Sequence, residues 1–321
     1  MTQIYTQEDI KNIVPHRFEN ILVDLVKKED INGVTTGTLD TCIALNDPLK
    51  RDIFFKQKTP TKKTIIVPTI MEVLALGSVV CSEKVTPGYP VFFTSISKFE
   101  NYQDCVLGTP LHGFVKKTKD KGSFMVCDGY LATQEGTKLA YGEMMAFFPG
   151  PETKTSQGAK RTLPIPTQNI HVDLEKNPTL KNPCMYAIDA AYRLEDTLDS
   201  FVASYTYPHT HPFTQGHFPG NPIMMGVMQW MSVEDSCHLL ASILYKKIEK
   251  KGLYTLSGNA DIIKSDGTSV SEIKGFKVQI YWDVPGFLNQ AEVLRTEKIT
   301  FRDYVVPGDT LLICLNSLIL S

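Results

Sequence analysis

The sequence predicts an α+β fold built twice over, each half a curved antiparallel sheet wrapped around one long buried helix. Three observations predict it. Two apolar runs stand out: Ile65–Val80 carries a single charge, Glu72, and the run after His217 carries none before Glu234. Such runs, apolar nearly all round, read as helices buried on every side. Segments of strand-like composition flank both. From Gly150 to about Pro183 the composition shifts to Pro, Thr, Gly, Asn and Lys with little periodicity, which reads as a linker laid over the surface. The expected organisation is a first half at 1–150, a linker at 151–183 and a second half at 184–321.

In chain order, Thr6 to Ile13 reads as a short helix capped by Thr6, with Glu8 and Asp9 in its first turn. Gly33 to Ala44 has a strand-like Thr/Val pattern. Pro68 and Thr69 are suited to start the first buried helix. Strands follow at Val91–Phe99, Thr109–Lys117, Ser123–Thr133 and Leu139–Phe148, and the Gln134–Thr137 turn makes the last pair a hairpin. In the second half, strands at Tyr186–Leu194 and Ser200–Tyr207 precede a helix from about Pro222 to Lys250, ended by Gly252.

Composition narrows the class. At 321 residues, 42% hydrophobic and 21% charged, the chain has the make-up of an ordinary globular protein. A net charge of -2 gives no electrostatic case for nucleic acid or an anionic membrane. No signal peptide or membrane-spanning run is visible. Seven scattered cysteines without Cys-x-x-Cys spacing suggest reduced thiols and a cytoplasmic location. A zinc site, a phosphate-binding glycine loop and a dinucleotide fingerprint are all unsupported.

The chemistry centres on Gly216-His217-Phe218-Pro219-Gly220, followed by Asn221-Pro222-Ile223-Met224-Met225-Gly226-Val227. Glycine and proline on both sides fix the backbone path and can hold the imidazole in one orientation, as a general base requires. The plainer reading of a lone turn histidine is a hydrogen bond to its own backbone. The longer string resembles the signature of the β-hydroxyacyl-[acyl-carrier-protein] dehydratases, hot-dog-fold enzymes of fatty-acid and polyketide synthesis. Val14-Pro15-His16-Arg17-Phe18 followed by Ile21-Leu22-Val23-Asp24 is similar to the entry segment of that family, and Val305-Val306-Pro307-Gly308-Asp309 to another of its segments. The resemblance implies a tandem (double) hot dog.

One position departs from the family pattern. The family's second catalytic residue is a carboxylate fourteen positions after the histidine, where this chain has Met231. Superposing the halves at an offset of 159 sets Lys58 on His217 and Glu72 on Met231. Glu72-Val73-Leu74-Ala75-Leu76 then resembles the family's acid-bearing helix. Since family dimers draw the histidine and the carboxylate of each site from different subunits, the halves imply one complete site, His217 with Glu72, and one empty site, Lys58 with Met231. Pairing Pro68 with Met225 instead would set Glu72 opposite Gln229, rotated by about 200°. The ungapped register is preferred because an acid inside an apolar helix needs a reason. Otherwise Glu72 is a partly exposed residue favoured by the dipole at a helix start.

The resemblance implies dehydration of a β-hydroxyacyl thioester, with neutral His217 taking the α-proton and Glu72, kept protonated by apolar surroundings, donating to the hydroxyl. The Gly226 N–H is the expected oxyanion donor, and Phe218, Pro219 and Gly220 the expected substrate-binding residues. The acyl chain is expected in an apolar tunnel between the two helices. No metal or redox cofactor is expected. The implied partner is an acyl carrier protein bearing a phosphopantetheine-linked chain, and a homodimer of double hot dogs is a further expectation. A dehydratase-isomerase or a hydratase would use the same pair. A different class is a catalytically inactive acyl-binding or scaffold module of a larger synthase.

Other features carry less weight. His209-Thr210-His211 sets two imidazoles on one strand face, a candidate metal pair lacking a third ligand. Lys116, Lys117, Lys119 and Lys121 read as a solvated edge, though an acidic carrier would suit them. Residues 253–285 include much of an insertion relative to the first half, and no counterpart of the hairpin at 123–148 follows. Either the chain is a piece of a larger synthase or the inserted segment supplies replacement strands, because open edges would otherwise remain.

Overall fold

A helix that is apolar on every side stays folded only where other elements cover it, and in this protein a sheet provides the cover. The structure, a computed structural model, describes residues 2–86, 89–150, 158–164, 168–170, 180–193, 200–245 and 251–321. Most of the expected linker, at 151–157, 165–167 and 171–179, lies outside the described residues.

The chain begins with β1 (Thr2–Thr6), α1 (Gln7–Ile13), β2 (Leu25–Ile31) and β3 (Val34–Thr41). Thr6 caps α1 in a reciprocal capping box with Asp9. A small ribbon, β4 (Phe55–Gln57) with β5 (Lys63–Ile65), precedes α2 (Thr69–Ser82), every residue of which is buried. Next come β6 (Phe92–Asn101), β7 (Leu111–Lys121), β8 (Phe124–Thr133) and β9 (Lys138–Phe147). These match the four strands expected there to within a few residues. β10 (Gln168–Ile170), β11 (Ala190–Arg193) and β12 (Ser200–Thr206) lead to α3 (Gly226–Tyr245). The chain then runs through β13 (Gly252–Lys264), β14 (Ser269–Trp282), β15 (Gln290–Thr296), β16 (Lys298–Phe301) and β17 (Thr310–Leu320).

Apart from the β4–β5 ribbon, the described strands form one 15-stranded sheet, ordered β1-β2-β3-β7-β8-β9-β6-β15-β14-β13-β17-β12-β11-β10, with β16 between β14 and β6. The seam lies at β6, where Phe99 pairs with Thr296 and Ile96 with Ile299, both antiparallel. On one side of the seam the sheet curves around α2 through β3, β7, β8 and β9; on the other it covers α3 through β12, β14, β15 and β17. The architecture is a double hot dog. No described helix is long and apolar enough to cross a membrane.

Two local features differ from the sequence reading, and one alternative it left open is realised. α3 starts at Gly226, not Pro222, because the preceding backbone is engaged elsewhere: Ile223 N–H donates to the His217 carbonyl and Met224 N–H to that of Val305, both at 2.8 Å. Its expected end near Lys250 lies outside the described residues. The strand expected from Tyr186 begins only at Ala190, since the Ala187 N–H donates to the Asp235 carboxylate at 3.0 Å. The inserted segment does supply strands: β13 pairs with β17 and β14, and β14 pairs with β15.

Helix α2 sits close to its sheet because two glycines make room for one side chain. A Cβ at Gly77 of α2 would lie 2.3 Å from Leu39 Cδ2, and one at Gly113 of β7 would lie 2.8 Å from Leu39 Cδ1. Leu39 itself is fully buried. Gly77→Val therefore overpacks this contact and is expected to destabilise the fold by about 1–3 kcal/mol. Adding Leu39→Ala should recover part of that loss, a coupling that a urea-denaturation double-mutant cycle measures directly.

Candidate active site

His217 is held by its own turn. Its N–H donates to the Phe213 carbonyl at 2.8 Å, its carbonyl accepts from Ile223, and the Asn221 N–H closes the turn on the Phe218 carbonyl at 3.0 Å. The His217–Phe218 peptide is cis, and the two rings stack with centroids 4.1 Å apart. His217 Nδ1 lies 2.8 Å from the Ile223 carbonyl oxygen. A carbonyl only accepts, so Nδ1 carries the hydrogen and neutral His217 keeps its lone pair on Nε2.

The entry segment of the chain docks on this turn. Arg17 N–H donates to the Gly216 carbonyl at 3.0 Å. Only glycine fits at 216, where a Cβ would lie 2.4 Å from the Arg17 carbonyl oxygen and 2.3 Å from Asn20 Nδ2. That docking sets His16 beside His217, with ring centroids 5.0 Å apart. Glu72, in the first turn of α2, completes the group: its carboxylate lies 3.6 Å from His16 Nε2. All three side chains are buried, at 7% exposure for His16, 6% for Glu72 and 8% for His217. One ligand atom from each falls within 4.8 Å of the others.

Glu72 and His217 thus face one cavity, of about 660 Å³, a size typical of small-molecule sites. From Glu72 it follows Ala75, Leu76 and Val79 along one face of α2 for roughly 10 Å. Phe93, Phe124 and Phe147 line it beyond. It runs along α2 and past the start of α3 rather than along the whole length of both helices. Burial pushes the His217 imidazole down to about 4 from its ordinary 6.5, and the neighbouring His16 adds to the effect while Glu72 opposes it. His217 is therefore neutral at physiological pH.

Comparison with known proteins bears on what such a cavity belongs to. No family model matches the chain. The 3-hydroxyacyl-[acyl-carrier-protein] dehydratase FabZ of Clostridium kluyveri is 30% identical over 140 residues, which are 43% of this chain and 92% of that protein. The chain belongs to this dehydratase family. Solved structures that resemble it include the dehydratase domain from the CurK module of the curacin polyketide synthase, with 9% identity, TM-score 0.45 and coverage of 92% of this chain and 95% of that one. The dehydratase domain from the terminal module of the rifamycin polyketide synthase gives 11% identity, TM-score 0.44 and coverage of 92% and 100%.

Within this member of the dehydratase family, the other expected site residues separate into two groups. Phe218 is buried and lines the cavity, as does Gly226, which as the first residue of α3 has an N–H without a partner inside the helix. Pro219 and Gly220 do not line it. They are exposed on the outside of the turn, where Gly220 takes a φ of 76° to reverse the chain. The residue missed as a site member is His16, whose motif was visible but whose position depends on the Arg17–Gly216 contact.

The His209/His211 metal pair is not formed. Both residues sit in the turn after β12 rather than on a strand, and the His211 nitrogens are engaged by the Cys184 carbonyl at 2.8 Å and the Phe213 N–H at 3.2 Å. The pseudo-equivalent second position, Lys58 with Met231, is filled by side chains. Met231 is fully buried, and Lys58 pairs with Asp104 and Glu292. Lys56 lies 3.3 Å from Glu234 and 3.6 Å from Glu292, and Lys181 lies 2.6 Å from Asp235. Burial disfavours the Lys58 charge, but Glu292 and Asp104 outweigh it and hold the ammonium above its ordinary value.

Two outcomes follow. Glu292→Gln removes the anion that two buried lysines share and should destabilise the protein by about 3 kcal/mol in urea titrations, at the low end for broken buried pairs because Asp104 still faces Lys58. For His217, the folded value of about 4 lies below the ordinary 6.5. Its contribution to stability is complete above about pH 6.5 and declines as pH falls toward 4, by at most about 3 kcal/mol. His217→Gln should flatten that part of the acid slope of stability against pH, and an unchanged slope would contradict the assignment.

Proposed function

We propose that the chain dehydrates β-hydroxyacyl thioesters to trans-2-enoyl thioesters at one composite site. In this reading residues 1–150 supply Glu72, residues 184–321 supply His217, and 151–183 join the two units. The observation that carries the proposal is the meeting of these two buried side chains, from opposite sides of the sheet seam, in a single cavity.

His217 Nε2, unprotonated and aimed by the Ile223 carbonyl, takes the α-proton. The electron pair released passes toward the thioester oxygen, where the Gly226 N–H and the helix start stabilise the developing charge. As the α,β double bond forms, the C–OH bond breaks and Glu72, as general acid, protonates the departing hydroxyl, releasing water. The proton on His217 then returns to Glu72, and the short span between them suits relay through one water. The reaction is redox-neutral. Ala75, Leu76 and Val79 offer the acyl chain an apolar wall.

A carrier-bound substrate is supported by the surroundings of the cavity. Phe124 lines it, and Phe124 pairs in register with Lys121 at the tip of the β7–β8 hairpin. Lys119 and Lys121 are exposed there, a basic edge that suits an acidic carrier.

The test is turnover of β-hydroxybutyryl thioester, free and carrier-linked, by the wild type, His217→Ala and Glu72→Gln. Each substitution should lower kcat by about 10²–10⁴-fold with the fold intact by circular dichroism. A folded wild type that binds the thioester without turning it over would point to an inactive acyl-binding module.

A further inference from the structure

We propose that His16, Glu72 and His217 together form a binding site for one divalent cation of the zinc class, whose occupancy shuts off acid–base chemistry in the cavity. The binding claim stands on geometry alone; the shut-off rests on the function proposed above.

Two imidazoles and one carboxylate are a donor set that zinc accepts, with bonds of about 2.0–2.2 Å. Tetrahedral bonds of that length place neighbouring donor atoms roughly 3.4 Å apart. His16 Nε2 and Glu72 Oε1 already stand 3.6 Å apart, and all three donors lie within 4.8 Å of one another. A small contraction of side chains would close the set. This is the one such group of three or more metal-binding side chains among the described residues.

The surroundings favour coordination. For His217 the Ile223 carbonyl anchors the second nitrogen at 2.8 Å, leaving Nε2 as the donor. His16 has a buried Nδ1 with no hydrogen-bond partner among the described residues. Its ring is thus held mainly by packing against His217 and Phe218, and a metal bond at Nε2 would fix it. The fourth position opens into the cavity, which has room for a water or an anion. Calcium and magnesium, which demand several oxygen ligands, do not suit this set.

Catalysis and coordination need opposite states of the same atoms. Coordination consumes the Nε2 lone pair with which His217 would take the α-proton. It also takes up the Glu72 carboxylate oxygen that would otherwise face the hydroxyl. The bound ion therefore occupies the place of the reacting atoms and withdraws both acid and base.

Titrating zinc chloride into the full chain calorimetrically, with cobalt(II) chloride absorption as a second readout, tests the site without any substrate. One ion per chain is expected, with magnesium chloride giving none. His16→Gln, Glu72→Gln and His217→Gln should each weaken zinc by more than the about 10–100-fold lost with a merely supporting partner. Should His16→Gln fold poorly, His16→Asn keeps the comparison available. Absence of saturable one-to-one binding, or zinc affinity unchanged in a folded His16 variant, overturns the proposal. In turnover assays zinc should inhibit, and chelation by EDTA should restore activity; an active enzyme indifferent to bound zinc overturns the shut-off. A wild type that binds zinc through these residues yet never dehydrates a thioester would sink the proposed function and leave the site standing.

Discussion

Helices α2 and α3 have no polar face to offer solvent, and covering both with one sheet is the constraint on which the rest of the molecule depends. Each needs strands on several sides, so the sheet must curve; joined at β6, the curved halves bring α2 and the turn before α3 to a common interior. That is why a carboxylate in the first turn of one helix can meet a histidine in the loop that precedes the other. The close packing of α2 against β3 and β7, where Leu39 occupies the space of two absent side chains, sets how near the helix that carries Glu72 lies to the sheet. Position at the site is thus inherited from core packing.

The two halves solve the same packing problem with different polar interiors. On one side Glu72, His16 and His217 border a cavity; on the other, where the repeat would place a second site, Lys56, Lys58 and Lys181 are tied to Glu234, Asp235 and Glu292. A buried ion cluster of this kind adds little net stability over a well-packed apolar core, since desolvation offsets most of the attraction. Each member is nevertheless costly to remove alone. The cluster lines that interior with paired charge where the other half has the apolar walls of a cavity.

What the sequence showed, it showed through local physics. α2 was readable because its apolar run, its proline start and its length all point the same way, and Glu72 stood out as an acid with no local reason to be buried. The β6–β9 strands were readable from alternation and turn residues. The start of α3 was not, because Ile223 and Met224 give their N–H groups to His217 and Val305, and the second of those partners is distant in sequence. The pairing of Lys58 with Asp104 and Glu292 was hidden for the same reason. His16 is the instructive case: the motif around it was recognisable, yet nothing local says that Arg17 will bond to Gly216 and carry the neighbouring ring into the cavity. Pro219 and Gly220 erred in the other direction, being motif residues whose part is to reverse the chain outside the site.

The partner of His217 Nδ1 shapes the character of the site. A carboxylate in that place would stabilise the imidazolium and make the ring a stronger base, whereas the Ile223 carbonyl fixes the tautomer with only a dipole. Burial then favours the neutral ring, and His16 reinforces the preference. The result is an imidazole that stands ready with a lone pair at any physiological pH but holds a captured proton weakly, so the proton is readily passed on. In the elimination proposed above, weak retention would clear the base before the next substrate enters. The same permanently available lone pair, set beside a second imidazole and a carboxylate, is also what a soft-to-borderline cation seeks. Under the two proposals, readiness as a base and susceptibility to such an ion are therefore consequences of one arrangement.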